Sequence, residues 1–431
     1  MPPRQRIRDG AAASAAAPPA LSILDLPNDL LARCLAPLKQ QERFKCAALV
    51  CKRFREASLA PSLLGEDSRQ LCHFPDFHKG DKACAMALLG ACLSACAGLA
   101  FEELHVFTII QQPSLGFLAS FTSLRRLRIE VPNDVELPNG ITGLTALREL
   151  GVEPGAVRIH APHLPPAISR LYIGDSTSTQ LPPQLTSLSA LVELELNCVS
   201  LAEDSLAPLA SLPSLRNLHL HDHALPASLA RLTQLKVLSV ARMFSDWAAP
   251  LWAVLPALQQ LTTLSLKFGW LDRSQPLVPS LASLPRLERV CFTVEGFHDM
   301  FTLPLPAGPW VSYLRVLAAP FCILRPSIEL LRGAGKLEHP TSLGPPMPDG
   351  MPDGPCPGWR AFFDFLASHP PLRCFCVESD PGEFIRREFV TAMCRLHCSR
   401  PGLLWRHADC GYTAKHFLQD SLPTFAGGDW L

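Results

Sequence analysis

A leucine spacing that returns ten times constrains this chain more than any other feature of its sequence. The pattern is L-x-x-L-x-L, with other apolar residues replacing some of the leucines, and successive copies start 20 to 27 residues apart. One unit of this length has too little apolar surface to bury by itself, so it must stack on its neighbours. The spacing therefore predicts a solenoid. The copies begin at Phe101, Leu124, Leu147, Ile168, Leu191, Leu215, Leu235, Leu261, Leu287 and Leu314.

Three copies carry a longer shared pattern, LPxxLxxLxxLxxLxL, which begins at Leu137, Leu181 and Leu225. The terminal L-x-L places two side chains on one side of a short strand, while the residue between them points to the other side. The preceding L-x-x-L-x-x-L run is close to a helical period and predicts a returning outer segment. Proline at its entry suits a turn or a first helical position. An all-helical repeat is the alternative interpretation.

With these motifs, residues 99–338 resemble the leucine-rich-repeat family. The resemblance implies an α/β solenoid, a leucine-rich-repeat arch with a parallel inner sheet. Beyond it, residues 339–358 repeat Met-Pro-Asp-Gly and predict a Pro/Gly-rich loop. Residues 359–431 resume apolar patterning, including a possible triplet at Leu372, and predict a C-terminal repeat or cap.

A second motif lies near the amino terminus, where residues 24–64 read LDLPNDLLARCLAPLKQQERFKCAALVCKRFREASLAPSLL. This stretch resembles the F-box family, and we place a small three-helix F-box at 21–64. The resemblance implies docking to a Skp-type linker subunit and, through it, to a cullin scaffold of a ubiquitin ligase. The residues it assigns to linker binding are Leu26, Pro27, Leu30, Leu31, Leu35, Leu38, Val50, Cys51 and Phe54.

Elementary helix chemistry supports a helix at the start of this stretch. Pro27 suits a first helical position, Asn28 and Asp29 bring hydrogen-bond acceptors to the helix start, and the leucines that follow form an apolar face. Segments this short usually need a partner for stability, so exposed leucines here suggest an interface. A helical cap of the solenoid, without a linker partner, is the alternative.

Composition excludes several classes of function. The 39 basic and 39 acidic residues of the 431-residue chain cancel, so a broad electrostatic attraction to nucleic acid or an anionic membrane is not expected. Sixteen cysteines without paired spacing and no secretory signal predict reduced thiols in a cytoplasmic or nuclear protein. We expect a disordered tail at 1–20, with a transit peptide as the alternative. A linker and capping helix are expected at 65–98. Because the run from 83 to 101 is uncharged, a transmembrane span is the alternative interpretation there.

Positions three, five, seven and eight of each repeat are expected to face outward on the inner sheet. The third positions then predict a cross-strand charge ladder. Further along this face, His219 and His221 share a strand face, and Glu195 is expected beside them. A zinc site formed by these side chains is therefore an alternative interpretation. The ladder residues are Glu103, Arg126, Glu149, Arg170, Glu193 and Asn217.

The same columns become apolar in the later repeats, and aromatic anchors dominate many interfaces. We therefore expect a client protein to dock there, with a shifted register that makes these residues core as the alternative. The expected client-binding residues are Val237, Phe268, Val294, Phe321, Glu193, His219 and His221.

No catalytic motif, metal module or cofactor-binding fingerprint stands out in the sequence. The expected function is a non-catalytic substrate-recognition subunit of an SCF-type ubiquitin ligase, in which the repeats capture an unknown client. A leucine-rich-repeat scaffold without a link to ubiquitin is the main alternative. An enzyme and a small-molecule sensor are further alternatives.

Overall fold

The computed structural model divides the chain into two compact units, residues 1–69 with 73–75 and residues 70–72 with 76–431. The structure describes part of each unit. The described residues are 27–35, 70–71, 102–107, 115–130, 137–153, 164–176, 181, 183–198, 201–221, 225–243, 245–268, 279–294, 304–343, 358–379, 395–396, 398–400 and 403–409.

In the first unit the structure describes one helix, α1 (Asn28–Leu35). The carbonyl of Pro27 accepts hydrogen bonds from the backbone N–H groups of Leu30 and Leu31 at 3.1 and 3.0 Å. Proline suits this place because its missing N–H would have no partner at a helix start. Leu31 and Leu35, four residues apart, are buried, whereas 39% of Leu30 is exposed. The other two helices expected at 21–64 lie outside the described residues.

The described strands of the second unit form one parallel sheet in which every strand lies beside its neighbours in sequence, from β1 to β14. The strands are β1 (Gln70–Leu71), β2 (Glu103–Phe107), β3 (Arg126–Glu130), β4 (Glu149–Glu153), β5 (Arg170–Ser176), β6 (Glu193–Cys198), β7 (Asn217–His221), β8 (Val237–Met243), β9 (Thr263–Phe268), β10 (Arg289–Val294), β11 (Val316–Pro320), β12 (His339–Leu343), β13 (Cys374–Ser379) and β14 (Leu404–Asp409).

The strands follow the leucine triplets in constant register. Each of β2 to β11 begins at the third position of its triplet, as β6 does at Glu193 after Leu191. The fourth and sixth positions of these ten strands face the core, and their side chains are at most 3% exposed. The predicted parallel sheet of a leucine-rich-repeat solenoid is thereby confirmed, and the register persists through the longer, later repeats.

Each of β3 to β13 is joined to the strand before it by a backbone hydrogen-bond pattern that recurs at the strand entry. In β7, for example, the N–H groups of Arg216 and Asn217 both donate to the carbonyl of Val192, at 2.9 and 3.0 Å. Pairing of this kind provides an acceptor for backbone N–H groups that would otherwise have no hydrogen-bond partner where the chain turns into the strand.

The outer segments of many repeats are 3₁₀-helices, which corrects the expectation of a near-α period. In the second long copy, Leu188 donates its N–H to the carbonyl of Leu185, and Leu191 donates to Leu188, at 3.1 and 2.9 Å. A 3₁₀-helix has three residues per turn, so leucines at every third position all point the same way, toward the core. The 3₁₀-helices span Gly116–Ser120, Asn139–Gly143, Pro183–Ser187, Ala207–Ser211, Ala227–Arg231, Leu255–Ala257, Pro279–Ser283, Pro309–Ser312 and Arg325–Ser327.

Short α-helices replace or accompany the 3₁₀-helices in the later repeats. They are α2 (Ser245–Val254), α3 (Phe321–Leu324), α4 (Ile328–Arg332) and α5 (Gly358–Ser368). Two strands lie where the sequence predicts none: β1 within the expected linker at 65–98, and β12 within the expected loop at 339–358. The predicted loop is therefore wrong at 339–343 and at its last residue, where α5 begins. Strand β12 lacks leucine at its fourth position, Pro340, but keeps Leu337 two residues before the strand, and that leucine is fully buried.

Candidate functional site

The inner face is the side of the sheet formed by the third, fifth and seventh positions of the repeats, opposite the buried fourth and sixth positions. Third-position residues of β2 to β7 stand directly beside one another, in the order Glu103, Arg126, Glu149, Arg170, Glu193, Asn217. The predicted charge ladder is therefore confirmed. Arg126 Nη1 lies 3.4 Å from Glu103 Oε2, and Arg170 Nη2 lies 2.8 Å from Glu149 Oε1.

A second charged group occupies the fifth and seventh positions at the start of the sheet. Glu130 Oε1 lies 2.8 Å from His105 Nε2 and 2.9 Å from Arg128 Nε. Arg128 also forms an ion pair with Glu153, and its guanidinium carbon lies 5.9 Å from the centre of the Tyr172 ring. Burial works to raise the pKa of Glu130, but the hydrogen bond from His105 and the charges of His105 and Arg128 outweigh it and hold that pKa below its ordinary value.

The third group lies on β6 and β7 and consists of Glu193, Glu195, His219 and His221. Glu195 stands beside His219 in the sheet register, as predicted. His219 Nε2 lies 3.7 Å from Glu193 Oε1, and His221 Nε2 lies 3.1 Å from Glu195 Oε1. Glu193 and His219 are both buried, at 7% and 6% exposure, although they belong to the inner face.

Burial sets the protonation of this group. It raises the pKa of Glu193 to about 7, with the charges of Glu195 and Glu149 acting in the same direction and Arg170 and a hydrogen bond with Asn217 opposing them. Burial also lowers the pKa of His219, an effect to which the charge of His221 adds. For Glu195, burial works to raise the pKa, but the hydrogen bond with His221 and the charges of both histidines outweigh it and lower the pKa. Near neutral pH, Glu193 is therefore partly protonated and His219 is neutral.

Two buried polar atoms of the inner face, Glu149 Oε2 and His219 Nε2, have no hydrogen-bond partner among the residues that the structure describes. Buried polar atoms in native proteins are nearly always paired, so each exception calls for an explanation. Both atoms belong to side chains that are nine-tenths buried or more.

Comparison with known proteins finds solved structures of low similarity. Similar solved structures include an internalin (inlF) from Listeria monocytogenes, 15% identical with a TM-score of 0.34, whose match covers 59% of this chain and 82% of that chain. Internalin C2 from the same organism is 19% identical with a TM-score of 0.28, covering 48% of this chain and 76% of that chain. No protein-family model and no curated protein matches the chain.

The fold assignment rests on the agreement between the triplets and the sheet register. The chain has the leucine-rich-repeat fold. Its outer 3₁₀ layer, buried leucine rows and parallel sheet account for most of the described residues.

The aromatic anchor expected on the later repeats of this solenoid is not on its surface. Phe268 is fully buried, and its ring centre lies 6.4 Å from those of Trp252 and of Phe292. Phe268 occupies the eighth position of its repeat and is the last residue of β9. Alternation along the strand therefore directs its side chain toward the core, on the same side as the fourth and sixth positions. The expectation that eighth positions face outward is therefore wrong for Phe268.

The other apolar residues expected to bind the client lie in different parts of the structure. Val237 lies on the inner face but is 7% exposed. Val294 stands beside Phe268 at the end of β10, and Phe321 begins α3 rather than lying on a strand. The side chains of Val294 and Phe321 are outside the described residues. In this half, the fifth positions hold the small side chains of Ser239, Ser265, Cys291 and Ala318.

Four of the residues assigned to linker binding lie in or beside α1. Pro27 and Leu30 are exposed, whereas Leu31 and Leu35 are buried, which removes these two from a directly accessible surface. Leu26, Leu38, Val50, Cys51 and Phe54 lie outside the described residues.

A shallow groove of about 590 Å³ lies at the edge where β10 to β13 begin. Tyr313 lines it, with Lys336 Nζ 5.0 Å from the ring centre. Arg315 Nη2 lies 3.1 Å from Glu338 Oε1, so opposite charges in the groove pair with each other. The groove is a weaker candidate than the inner face, where two buried polar atoms have no hydrogen-bond partner among the described residues.

Sequence reasoning missed Arg128, Glu130, Glu153 and Tyr172 as members of the charged face. The signal that identifies them is their position, since all four stand at the fifth or seventh place of a repeat. Within the described ranges, no three or more His, Cys, Asp or Glu side chains are grouped so that they would hold a metal ion, His219 and His221 included. Among the described helices, none has the length and apolar character needed to span a bilayer.

Proposed function

We propose that this leucine-rich-repeat protein is a non-catalytic binding protein that recognises a partner protein through the inner face of β2 to β7. One observation supports this most directly: charged and polar side chains of six neighbouring strands share that face, and two of their buried polar atoms, Glu149 Oε2 and His219 Nε2, have no hydrogen-bond partner in the described part of the chain. Ion pairs between exposed side chains contribute little to stability. A charged face of this extent therefore serves recognition better than it serves folding.

The specific role that we propose is substrate recognition for a cullin-type ubiquitin ligase, with the F-box-like segment binding a Skp-type linker subunit. Two observations support it: the resemblance of residues 24–64 to F-box sequences, and the exposure of Leu30 on α1. Leu30 is one of three large apolar side chains that are exposed among the described residues, with Val192 and Tyr313. An adaptor of this kind works by raising the effective concentration of client lysines near a ubiquitin-charged enzyme.

Binding to the linker subunit tests this role. Purified protein is passed over immobilised linker subunit, comparing wild type with Leu30→Asp and with Val192→Asp, which changes an exposed apolar residue on the repeats. We expect wild type and Val192→Asp to be retained and Leu30→Asp to be lost, because a buried carboxylate replaces an apolar contact worth about 1.5–3 kcal/mol. Failure of the wild type to bind would exclude the ligase role.

The alternative function is a scaffold that binds partners without any link to ubiquitin. Proximity labelling in cells, with and without proteasome inhibition, separates the two. A ligase receptor should label clients that accumulate when the proteasome is inhibited, and Leu30→Asp should let the same clients accumulate without inhibitor. A scaffold should label the same partners at the same level under all four conditions.

A further inference from the structure

The inner face of β2 to β7 carries a local excess of negative charge in a chain whose total charge is zero. Its described third, fifth and seventh positions hold six carboxylates and three guanidinium groups. Arg126 contacts Glu103, Arg170 contacts Glu149, and Arg128 contacts Glu130 and Glu153. The carboxylates are Glu103, Glu130, Glu149, Glu153, Glu193 and Glu195, and the cations are Arg126, Arg128 and Arg170.

The excess of negative charge is located on β6, where Glu193 and Glu195 lie two residues apart on the same strand face. On β7, Glu193 has a hydrogen bond with Asn217 and lies 3.7 Å from the His219 imidazole, and Glu195 lies 3.1 Å from the His221 imidazole. His219 is neutral near pH 7, so its ring supplies a hydrogen-bond acceptor rather than a positive charge. Two carboxylates beside a neutral ring form a site that suits a cation bearing N–H donors.

The two atoms without partners point to the same kind of ligand. Glu149 Oε2 accepts hydrogen bonds and does not donate them when the carboxylate is ionised, and His219 Nε2 accepts them in one tautomer. In these states each atom lacks a donor. Lysine has three N–H donors and arginine five, and neither side chain has an acceptor. A basic side chain can satisfy both atoms, although small movements of the neighbouring side chains must open the way to them.

We propose that the partner presents a basic extended segment across β4 to β7, with one lysine or arginine at Glu149 and a second between Glu193, Glu195 and His219. This inference rests on the proposed partner-binding function and names the chemistry of the partner. The spacing supports it. Neighbouring strands lie about 4.8 Å apart, so Glu149 on β4 and Glu193 on β6 are separated by about 9.6 Å. Three residues of polyproline II chain rise about 9.3 Å, so basic residues at every third position match both places.

The same geometry makes binding depend on pH. Glu193 is faced by Glu149 on β4, Arg170 on β5, Glu195 on its own strand, and Asn217, His219 and His221 on β7. A cation favours the ionised carboxylate, so it displaces the proton that Glu193 holds near neutral pH. Protonation of His219 at lower pH would also repel the cation. Affinity for a basic segment should therefore rise between about pH 6 and pH 8.

Fluorescence anisotropy with the full chain tests the proposal. The probe is a fluorescein-labelled peptide of Lys-Pro-Pro repeats, compared with a peptide of the same composition whose lysines are contiguous and with a Glu-Pro-Pro peptide. We expect the spaced lysine peptide to bind best and the glutamate peptide not to bind. The double variant Glu193→Gln/Glu195→Gln should weaken binding about tenfold or more, since each paired charge contributes more than one hydrogen bond. Glu329→Gln, which changes an exposed carboxylate on α4, should bind like wild type.

Several results would overturn the inference. These are equal binding of the spaced and contiguous peptides, equal affinities of the double variant and Glu329→Gln, or a wild-type affinity that does not rise with pH. The pH series needs no variant, so it decides the matter even if the double variant fails to fold. Ser239→Arg, which places a bulky cation on the inner face beside His219, separates this failure from failure of the proposed function. If Ser239→Arg loses its cellular partners while basic peptides fail to bind the wild type, partner binding by the inner face is supported and the inference of a basic partner segment is wrong. If Ser239→Arg keeps its cellular partners, the proposed partner binding by the inner face is wrong.

Discussion

At the scale of single residues, the position within the repeat decides the environment of each side chain. Leu194 and Leu196 are fully buried, whereas Glu195 between them reaches the inner face. Alternation along a strand accounts for this. Alternation does not account for Glu193, which belongs to the inner face and is nevertheless buried. Long neighbouring side chains on adjacent strands cover it, and this covering raises its pKa to about 7.

Replacing Glu193 with glutamine should stabilise the protein, and the gain should depend on pH. Because the folded-state pKa lies above the ordinary value of 4.5, the stabilising contribution of Glu193 is fully present below about pH 4.5 and is lost as the pH rises through about 7. Glutamine resembles the protonated form at every pH. The variant should therefore match wild type near pH 4.5 and exceed it at about pH 8 by on the order of 3 kcal/mol. Urea unfolding at several pH values measures the difference, and a constant difference across this range would contradict the assignment.

Close backbone approach at Gly308 leads to a second prediction. A Cβ atom added there would lie 2.6 Å from the Cα atom of Ala282 in the neighbouring repeat, whereas one added at Gly143 would meet nothing within 4 Å. We expect Gly308→Ala to lower the free energy of unfolding by about 1–3 kcal/mol through overpacking. Gly143→Ala should be neutral or slightly stabilising because it restricts the unfolded chain. Thermal unfolding of both variants checks the contrast, and equal effects would show that the two repeats separate easily at Gly308.

At the scale of elements, the spacing of apolar residues selects the kind of outer segment. A strict spacing of three, as in Leu185, Leu188 and Leu191, accompanies a 3₁₀-helix, in which every third residue is aligned. Buried residues at mixed spacings of three and four accompany α-helices, as in α5 with Phe362, Phe365, Leu366 and His369 at its end. Both kinds of helix thus direct their apolar side chains toward the sheet, although their backbones have different periods.

A buried hydroxyl links the outer segments of two later repeats and can be tested by its removal. Ser327 Oγ donates to the carbonyl of Ile323 at 2.6 Å and accepts a hydrogen bond from the N–H of Leu305 at 2.9 Å. Ser327→Ala would leave that buried N–H without a partner, which costs about 1–3 kcal/mol. Ser312→Ala, which removes an exposed hydroxyl bonded to Pro309, serves as the control and should change stability little. Chemical denaturation distinguishes them, and similar stabilities would mean that water replaces the hydroxyl.

At the scale of the whole molecule, stability in a solenoid is shared between neighbouring repeats rather than gathered in one core. Arg400 illustrates such a link near the end of the described sheet. Its guanidinium donates to the carbonyls of Leu366, His369, Pro370 and Leu372, at distances from 2.6 to 3.2 Å. One side chain thus holds the turn that leads from α5 into β13.

Loss of Arg400 should therefore act locally. In Arg400→Ala we expect amide hydrogen exchange to accelerate in β13 and β14, because four carbonyls lose a charged donor, while β3 to β6 keep the protection of the wild type. Arg395→Ala, which changes an exposed arginine nearby, should leave exchange unchanged throughout. Acceleration across the entire sheet would contradict nearest-neighbour coupling and indicate one cooperative unit.

Much of the fold was predictable from particular residues. Each triplet start lies two residues before a strand, and those from Leu124 to Leu314 are buried apolar residues that anchor the chain as it turns into the sheet. Strand β12 was not predictable in the same way, since Pro340 interrupts the leucine pattern and the adjacent Met-Pro-Asp-Gly repeats favour a loop. The charge ladder was predictable because parallel strands in constant register place equal positions side by side.

By itself, the sequence determined the stacking of repeats, the start of each strand and which residues alternate between core and inner face, since all three follow from local spacing. Tertiary structure alone decided that Phe268 is buried, that the pKa of Glu193 is raised to about 7, and that Glu149 Oε2 and His219 Nε2 have no hydrogen-bond partner among the described residues. Spacing names the neighbours of a side chain but not how closely they cover it. Burial, and the electrostatic energy that depends on it, come from several strands acting together.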